Sequence, residues 1–344
     1  MQINSEEPAP TPDLAAAIAA RVTGRAPNAV ARFTTGARHY VYEATFADRQ
    51  PIVVRIGSAS AHAEMAGAVH LSNLLRRRGA PLPAILAQDI QSALPWIALE
   101  RLPGVDLGAV MGRLTDAQLD RIAANVARAQ TIASQTGSAG RYGYAIRPED
   151  APHSAWSQAL DAHLARSRRR IASARLFDVA SADIAQRELD AMRDEIDSIP
   201  PTPFLHDTTT RNVIVTEEGA FSGIVDVDDL CFGDPRYPAA LTLAVLTAQG
   251  GPVQYVSAWL RHAGLSDDRL FRMYVLIFLL DLMSEHGQVF NGNQRPSSPE
   301  DRAALHRAFE RNAARVRSRR GNRTTGICGG VRRGHRSRRQ NALS

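Results

Sequence analysis

The sequence predicts an α+β protein with a small β-rich lobe followed by a larger, mostly helical lobe. Strand patterns are concentrated before residue 104, and long amphipathic helical patterns follow residue 114. A chain of 344 residues also exceeds the usual size of one compact domain. We therefore predict an N-terminal lobe at 1–104, a C-terminal lobe at 105–316 and an Arg-rich tail at 317–344.

The N-terminal lobe is predicted to carry a helical extension and then a sheet with one helix. Strand patterns rich in β-branched and aromatic residues occupy three segments: 31–33, 40–46 and 52–56. A turn of small residues around Thr35-Gly36 separates the first two strands. The helical spacing of 61–78 ends at Gly79, a common C-terminal signal, and a short strand follows at 96–100.

The C-terminal lobe is predicted to be helical with one hairpin. Helical spacing is found in three segments: 115–132, 181–199 and 268–284. The strong β signal in this half is the turn at Glu218-Gly219, which joins a strand at 213–215 to one at 221–225. Two Gly- and Pro-rich segments could be substrate-shaping loops or plain connectors: 135–157 and 287–299.

The charge is unevenly distributed along the chain. All 41 basic residues are Arg, and eleven of them lie within residues 311–344, which hold no acidic residue. Residues 1–310 contain 30 Arg against 35 acidic residues, a formal charge of −5, so the basic pI of about 9.9 belongs to the tail. The tail lacks periodic apolar residues and is predicted to be disordered, either as a nucleic-acid-binding arm or as a solvated extension.

Several classes of function and location are excluded or disfavoured by composition. The absence of Lys excludes Schiff-base chemistry and the phosphate-binding lysine of a P-loop. Two cysteines, Cys231 and Cys328, exclude a disulfide framework and a cysteine-based zinc site. The longest apolar run, 275–280, is too short to cross a bilayer, and the N-terminus lacks a secretory pattern. We expect a soluble, cytoplasmic monomer that binds no membrane and no nucleic acid except through its tail.

Two segments carry the chemistry: 206–215 and 223–229. Phosphoryl transfer from ATP requires a carboxylate at the acceptor hydroxyl, ligands for magnesium and a cation on the phosphates. Asp207 suits the first task, because it can act as general base or orient the hydroxyl. Asn212 and Asp226 offer the oxygen ligands that Mg²⁺ prefers. The intervening hairpin would bring these three residues to one site.

The alternative is an ordinary turn in which Asp and Asn act as caps, since an Asp-x4-Asn pair often arises by chance. The order of further elements favours the catalytic interpretation. Arg55 closes a strand where a phosphate-pairing cation is needed. Glu64 follows on the next helix, where it could hold Arg55 by a salt bridge.

These residues resemble the aminoglycoside phosphotransferase and choline kinase-like family, which has a protein-kinase-like bilobal fold. The resemblance runs from about Val30 to Ala248, and more loosely to Ala314. Besides the two catalytic segments, the following parts of the sequence carry it: Thr35-Gly36, 53–56, Glu64, Leu82-Pro83, 99–104 and 232–237.

The resemblance implies an ATP-dependent phosphotransferase that uses Mg²⁺ and phosphorylates a hydroxyl of a small molecule. It assigns Asp207 as catalytic base and Asn212 and Asp226 as magnesium ligands. It also implies that Asp234 braces the catalytic loop. The residues expected at the nucleotide are Thr35, Gly36, Arg55, Glu64, Glu100 and Leu102, with the backbone of 100–102 meeting the adenine.

The sequence departs from the family pattern at three positions. The family usually has His two places before the catalytic Asp, whereas here Leu205 takes that place and His206 is adjacent to Asp207. We expect His206 to brace the loop. Arg55 replaces a Lys found in many members, and Pro238 replaces a structural carboxylate.

These departures keep a second function class open, a catalytically impaired kinase-like protein that binds a nucleotide or ligand for regulation. The roles of two further acids also stay open. Asp228 and Asp229 could support a second magnesium ion or be plain loop acids. The acceptor could be an aminoglycoside, a sugar, another amino alcohol or a macrolide. Acids within 183–197 would suit a cationic acceptor, or they could form a solvated helix face.

Overall fold

The computed structural model describes residues 9–33, 39–290, 293–294 and 297–318. The first part of the chain forms a five-stranded antiparallel sheet of order β1-β2-β3-β5-β4. Its strands are β1 (Ala29–Arg32), β2 (Tyr40–Thr45), β3 (Ile52–Ile56), β4 (Ile85–Asp89) and β5 (Trp96–Glu100). Two helices accompany the sheet: α1 (Pro12–Thr23) and α2 (His62–Arg77).

Helix α1 closes one face of this sheet. Thr11 caps the helix by accepting a hydrogen bond from the backbone N–H of Leu14, and Gly24 ends it in the left-handed conformation. The buried side of the helix, which includes Ile18, packs with Tyr42 and Trp96 of the sheet in one apolar cluster. Burial of these side chains fixes the sheet that carries Arg55.

The remainder of the chain is mainly helical. Its helices are α3 (Leu107–Val110), α4 (Asp116–Ser134), α5 (Trp156–Ala174), α6 (Ala180–Asp190), α7 (Arg193–Asp197), α8 (Tyr237–Gln249), α9 (Gln254–His262), α10 (Arg269–Glu285) and α11 (Pro299–Ser318). Its strands are β6 (Val105–Asp106), β7 (Gly143–Ala145), β8 (Thr202–Phe204), β9 (Val213–Val215), β10 (Phe221–Ile224), β11 (Leu230–Gly233), β12 (Val289–Phe290) and β13 (Asn293–Gln294). Within the described ranges, no helix is both long and apolar enough to span a membrane.

The largest apolar cluster lies among these helices. Helix α10 is at its centre, because nearly every residue from Leu270 to Met283 is buried. Helices α5, α8 and α11 pack around it. The result is a small β-rich lobe and a larger helical lobe, as the sequence predicted.

The structure corrects several predicted elements. The predicted helix at 181–199 is two helices, α6 and α7, because Met192 leaves the helical conformation with φ of −125° and ψ of 11°. Segment 135–157 contains strand β7 and the start of α5, and the predicted Arg-rich tail begins inside α11. Helix α8 was missed because it is buried on almost all sides and therefore lacks an amphipathic period.

The predicted hairpin is present as β9 and β10. Gly219 turns the chain with φ of +79°. The second strand approaches the N-terminal lobe closely, where the backbone N–H of Ile224 donates to the carbonyl of Pro81 at 2.8 Å. The segment that follows β10 therefore lies against the N-terminal lobe.

Candidate active site

Asp207 is exposed on the loop that follows β8. The Thr209 hydroxyl donates to its Oδ1 at 2.9 Å, which fixes the carboxylate. Asn212 Nδ2 donates to the backbone carbonyl of Asp207 at 2.9 Å, and the N–H of Val225 donates to the carbonyl of Asn212 at 2.9 Å. The hairpin thus brings the two predicted catalytic segments together.

Gln130 braces this loop from below. It is buried on α4, where its Oε1 accepts from the N–H of Leu205 at 2.9 Å and its Nε2 donates to the Leu205 carbonyl at 2.8 Å. The same Nε2 donates to the Thr208 hydroxyl at 3.0 Å. Gln130 was not among the predicted site residues. Its signal was a single polar side chain on the otherwise apolar face of α4.

Asp226 follows β10 and has φ of +64°, a conformation that Asp tolerates better than most residues. Its side chain is 56% exposed. The pKa of Asp226 is raised because the surrounding protein desolvates it and because Asp228 and Asp207 carry like charges nearby, which together outweigh Arg55. A cation at this carboxylate would relieve that repulsion.

Arg55 is buried on β3, and its guanidinium reaches across to the segment after β10. It pairs closely with Asp228 and lies 3.6 Å from Asp226. These are the ion pairs that Arg55 makes within the described residues, so the predicted salt bridge to Glu64 is absent. Glu64 lies instead 3.5 Å from the ring of His39, a residue that the sequence analysis did not identify.

The charges around Arg55 shift the pKa values of Asp228 and His39. Burial alone would raise the pKa of Asp228, but the positive charge of Arg55 and hydrogen bonds from His39 and Arg55 hold it well below its usual range. Burial would lower the pKa of His39, but hydrogen bonds to Asp228 and Glu64 raise it. Asp228 is therefore a charged partner of Arg55 and not a plain loop acid.

Two sets of oxygen and nitrogen ligands could hold a cation. The first is the pair predicted from the sequence, Asn212 and Asp226, whose segments are joined by the hydrogen bond from Val225 to Asn212. The second is His39, Glu64 and Asp228, whose ligand atoms all lie within 4.8 Å of one another. The guanidinium of Arg55 bonds Asp228 and so opposes a cation at the second set.

The structure describes some of the residues predicted at the nucleotide and not others. Thr35 and Gly36 lie outside the described residues. Glu100 ends β5, and both its backbone N–H and its side chain are engaged by Ala84. The backbone N–H of Leu102 has no acceptor within the described ranges. Gly104 follows with φ of +104°.

Two residues were predicted to brace the catalytic loop, His206 and Asp234, and the contacts of Asp234 differ from that prediction. The ring nitrogens of His206 lie 3.2 to 3.3 Å from the Tyr144 hydroxyl, and its ring stacks on Tyr237 with centroids 5.8 Å apart. Asp234 does not hold the catalytic loop. It is buried beside Arg236, which donates to it at 2.6 Å, and the Tyr274 hydroxyl, which donates at 2.9 Å. Asp234 therefore fixes the start of α8 against α10.

Three acidic residues of 183–197 are engaged by nearby arginines or by Ser157. Asp183 pairs with Arg168, and Asp190 pairs with Arg193. Asp197 accepts from the backbone N–H and hydroxyl of Ser157 at 2.9 and 3.0 Å. These contacts agree with the solvated-face alternative for the three acids.

The family model described as the phosphotransferase enzyme family matches residues 29–274. The chain belongs to this family. The matched range contains every predicted site residue, from Thr35 to Asp226. This phosphotransferase matched no curated protein sequence.

Solved structures support the same fold. A thermostable mutant of aminoglycoside phosphotransferase APH(4)-Ia is 17% identical, with a TM-score of 0.62 over 89% of this chain and 99% of the other. A putative fructosamine-3-kinase from Thermobifida fusca is 21% identical, with a TM-score of 0.56 over 91% of this chain and 100% of the other. The likeness shows that this phosphotransferase has the protein-kinase-like bilobal fold.

Proposed function

We propose that this phosphotransferase moves the γ-phosphate of ATP to a hydroxyl of a small molecule, with Asp207 as catalytic base and Mg²⁺ on Asn212 and Asp226. The observation that supports the proposal is that hydrogen bonds join the segments of Asp207, Asn212 and Val225, and that Asp226 lies 3.6 Å from the buried Arg55. A similar structure is a ternary complex of APH(4)-Ia with AMP-PNP and hygromycin B, which supports a nucleotide donor and a hydroxylated acceptor.

The residues fit a magnesium ion. Asp226 is a carboxylate with a raised pKa beside two other carboxylates, and Asn212 offers a neutral oxygen ligand. When bound, Mg²⁺ neutralises charge on the nucleotide phosphates. The backbone carbonyl of Asn212 is held by Val225, so the amide side chain is presented from a fixed position.

Asp207 can orient and deprotonate the acceptor hydroxyl. Its Oδ1 is occupied by Thr209, whereas its Oδ2 has no partner within the described residues and faces solvent. An acceptor hydroxyl could therefore donate to Oδ2. Because the carboxylate is fixed through Thr209, and its backbone through Asn212, the hydroxyl would be held in line with the donor phosphate.

Arg55 supplies the positive charge nearest to Asp226. Its guanidinium fork can bind a phosphate while retaining Asp228 as partner. Leu102 would contribute its backbone N–H to the adenine. The acceptor is a small hydroxylated compound, and the names of the similar structures make aminoglycosides, other amino alcohols and sugars the first compounds to assay.

The test is replacement of Asp207 by alanine. We expect kcat to fall by about 10²- to 10⁴-fold with ATP affinity retained, because general-base assistance is lost and the nucleotide site is intact. ADP release would be measured over a broad panel of hydroxylated acceptors. The matched control is Glu217→Ala, which removes an exposed carboxylate from the same hairpin and should leave kcat unchanged.

Two results would contradict the proposal. Equal activity of Asp207→Ala and the unmodified protein would remove Asp207 as base. Binding of ATP without transfer to any acceptor would favour the catalytically impaired, ligand-binding alternative. The Arg55–Asp228 ion pair is the feature that favours this alternative, because it engages the cation expected at the phosphates.

A further inference from the structure

One face of α5 converges on a single carboxylate of α10. His163, Arg166, Ser167 and Arg170 occupy positions i, i+3, i+4 and i+7, so they lie on the same side of the helix. All four approach Asp281: the distances are 3.1 Å from His163, 3.2 Å from Arg166, 2.8 Å from Ser167 and 3.9 Å from Arg170.

This cluster lies beside the catalytic loop. His163 Nδ1 is 2.6 Å from the Tyr237 hydroxyl, and Tyr237 stacks on His206. The positive charge of Arg166 also acts on the hydroxyls of Tyr144 and Tyr237. Since His206 directly precedes Asp207 in the chain, Tyr237 and Tyr144 connect the cluster to the loop that carries the proposed base.

The cluster carries an excess of positive charge. Two arginines approach the single carboxylate of Asp281. Burial alone would raise the pKa of Asp281, but His163 and Arg166 outweigh burial and hold this pKa far below its usual range. Asp229 acts weakly on Tyr144, but it is not among the charges acting on either arginine. The single charge of Asp281 therefore cannot neutralise both arginines.

Part of this charge is accessible. The side chain of Arg166 is 42% exposed and that of Arg170 is 29% exposed. Arg166 bonds Asp281 through Nη2, while its Nη1 makes no hydrogen bond within the described part of the chain. Tyr144 is 38% exposed beside His206 and offers an aromatic surface. A planar guanidinium of this kind suits a carboxylate or a phosphate.

We propose that the acceptor of this phosphotransferase carries an oxyanion, which binds Arg166 and Arg170 while its hydroxyl meets Asp207. The inference rests on the proposed function, because it assumes that Asp207 receives the acceptor. A polycationic aminoglycoside would place like charges against the two arginines. The site therefore favours a hydroxylated carboxylate or a hydroxylated phosphate ester.

The experiment is an ADP-release assay with matched acceptors that share one sugar skeleton: glucose, glucosamine, gluconate and glucose 1-phosphate. The same assay is run on hygromycin B and on glycerol, glycerate and glycerol phosphate. We expect the oxyanionic member of each set to give the highest kcat/KM. Comparison of the carboxylate with the phosphate ester then identifies which oxyanion is preferred.

Variants test the assigned residues. Arg166→Gln should raise the KM of the oxyanionic acceptor by about 10- to 100-fold, the loss expected for one charge-assisted hydrogen bond, with the KM of ATP unchanged. Arg170→Gln and Arg166→Lys provide readouts if Arg166→Gln does not fold. The matched control is Arg169→Gln, an exposed arginine of the same helix outside the cluster, which should leave KM unchanged.

The outcomes separate this inference from the proposed function. Preference for neutral or cationic acceptors, or an unchanged KM in folded Arg166→Gln and Arg170→Gln, would overturn the oxyanion site and leave the phosphotransfer proposal standing. Absence of transfer to every acceptor would overturn the proposed function itself.

Discussion

At the scale of single residues, the site depends on a buried ion pair that joins two distant parts of the sequence. Arg55 is 6% exposed and meets Asp228, whose side chain is 10% exposed. A buried charge that loses its partner is strongly destabilising, whereas replacing both partners by apolar residues is often nearly neutral. The pair therefore couples the sheet of the N-terminal lobe to the hairpin of the C-terminal lobe.

We expect Arg55→Met to lower the free energy of unfolding by about 3–5 kcal/mol, because Asp228 would remain buried without its cation. The double variant Arg55→Met with Asp228→Leu should recover most of that loss. Urea unfolding of both variants and the unmodified protein measures the difference. If the double variant were as unstable as the single one, the ion pair would not be the source of the loss.

At the scale of elements, segment 100–104, which would meet the adenine, packs closely against the hairpin formed by β9 and β10. A Cβ on Gly104 would lie 2.0 Å from the carbonyl oxygen of Val215, and its φ of +104° favours glycine. Strand β6 then pairs with β9, so the segment that would meet adenine is held against the strand that begins after Asn212. The position of segment 100–104 and that of the proposed metal ligands are therefore coupled.

Gly104→Ala is expected to destabilise the protein by several times the cost of an alanine at Gly24, and to raise the KM of ATP. Gly24 also has positive φ but nothing within 4 Å of a new Cβ, so its alanine variant should cost only about 1–2 kcal/mol. Thermal unfolding and ATP titration compare the two. Similar losses would show that backbone conformation, and not the contact with β9, requires Gly104.

At the scale of the whole molecule, residues 1–310 carry a net negative charge and residues 311–344 a positive one. Within 1–310, carboxylates that are paired with cations contribute to the stability of the fold. Burial alone would raise the pKa of both Asp161 and Asp281. Hydrogen bonds to Arg193 and Gln186 lower the pKa of Asp161, and the charges of His163 and Arg166 lower the pKa of Asp281, so both pKa values lie below the usual range.

We also propose that the boundary between the lobes falls at residue 104, directly before β6.

These pKa values predict acid lability. A carboxyl whose folded pKa lies below its unfolded value of about 3.9 adds stability above that value and loses it as pH falls toward the folded pKa. The free energy of unfolding should therefore decline below about pH 5, by less in Asp281→Asn than in the unmodified protein. Urea unfolding at several pH values measures the slope. Parallel slopes would exclude Asp281 as a contributor.

Local sequence signals determined much of the fold. The strands at 52–56 and 96–100 agree with β3 and β5, and the hairpin was located to within one residue, because strand alternation and turn residues act over short distances. Short strands such as β7 and β11 were missed, since each is stabilised by partners far along the chain. Helix α8 was missed for a different reason, because its burial removes the amphipathic period that predicts a helix.

The sequence by itself determined the family, the two-lobe α+β architecture and the three residues proposed for catalysis and metal binding, because these lie in short segments with a fixed order. Only the tertiary structure decided that Arg55 pairs with Asp228 instead of Glu64, that Gln130 holds the catalytic loop, and that Arg166 and Arg170 share Asp281. Ion pairs and buried hydrogen bonds depend on which side chains the fold brings within a few ångströms, and spacing along the chain does not contain that information.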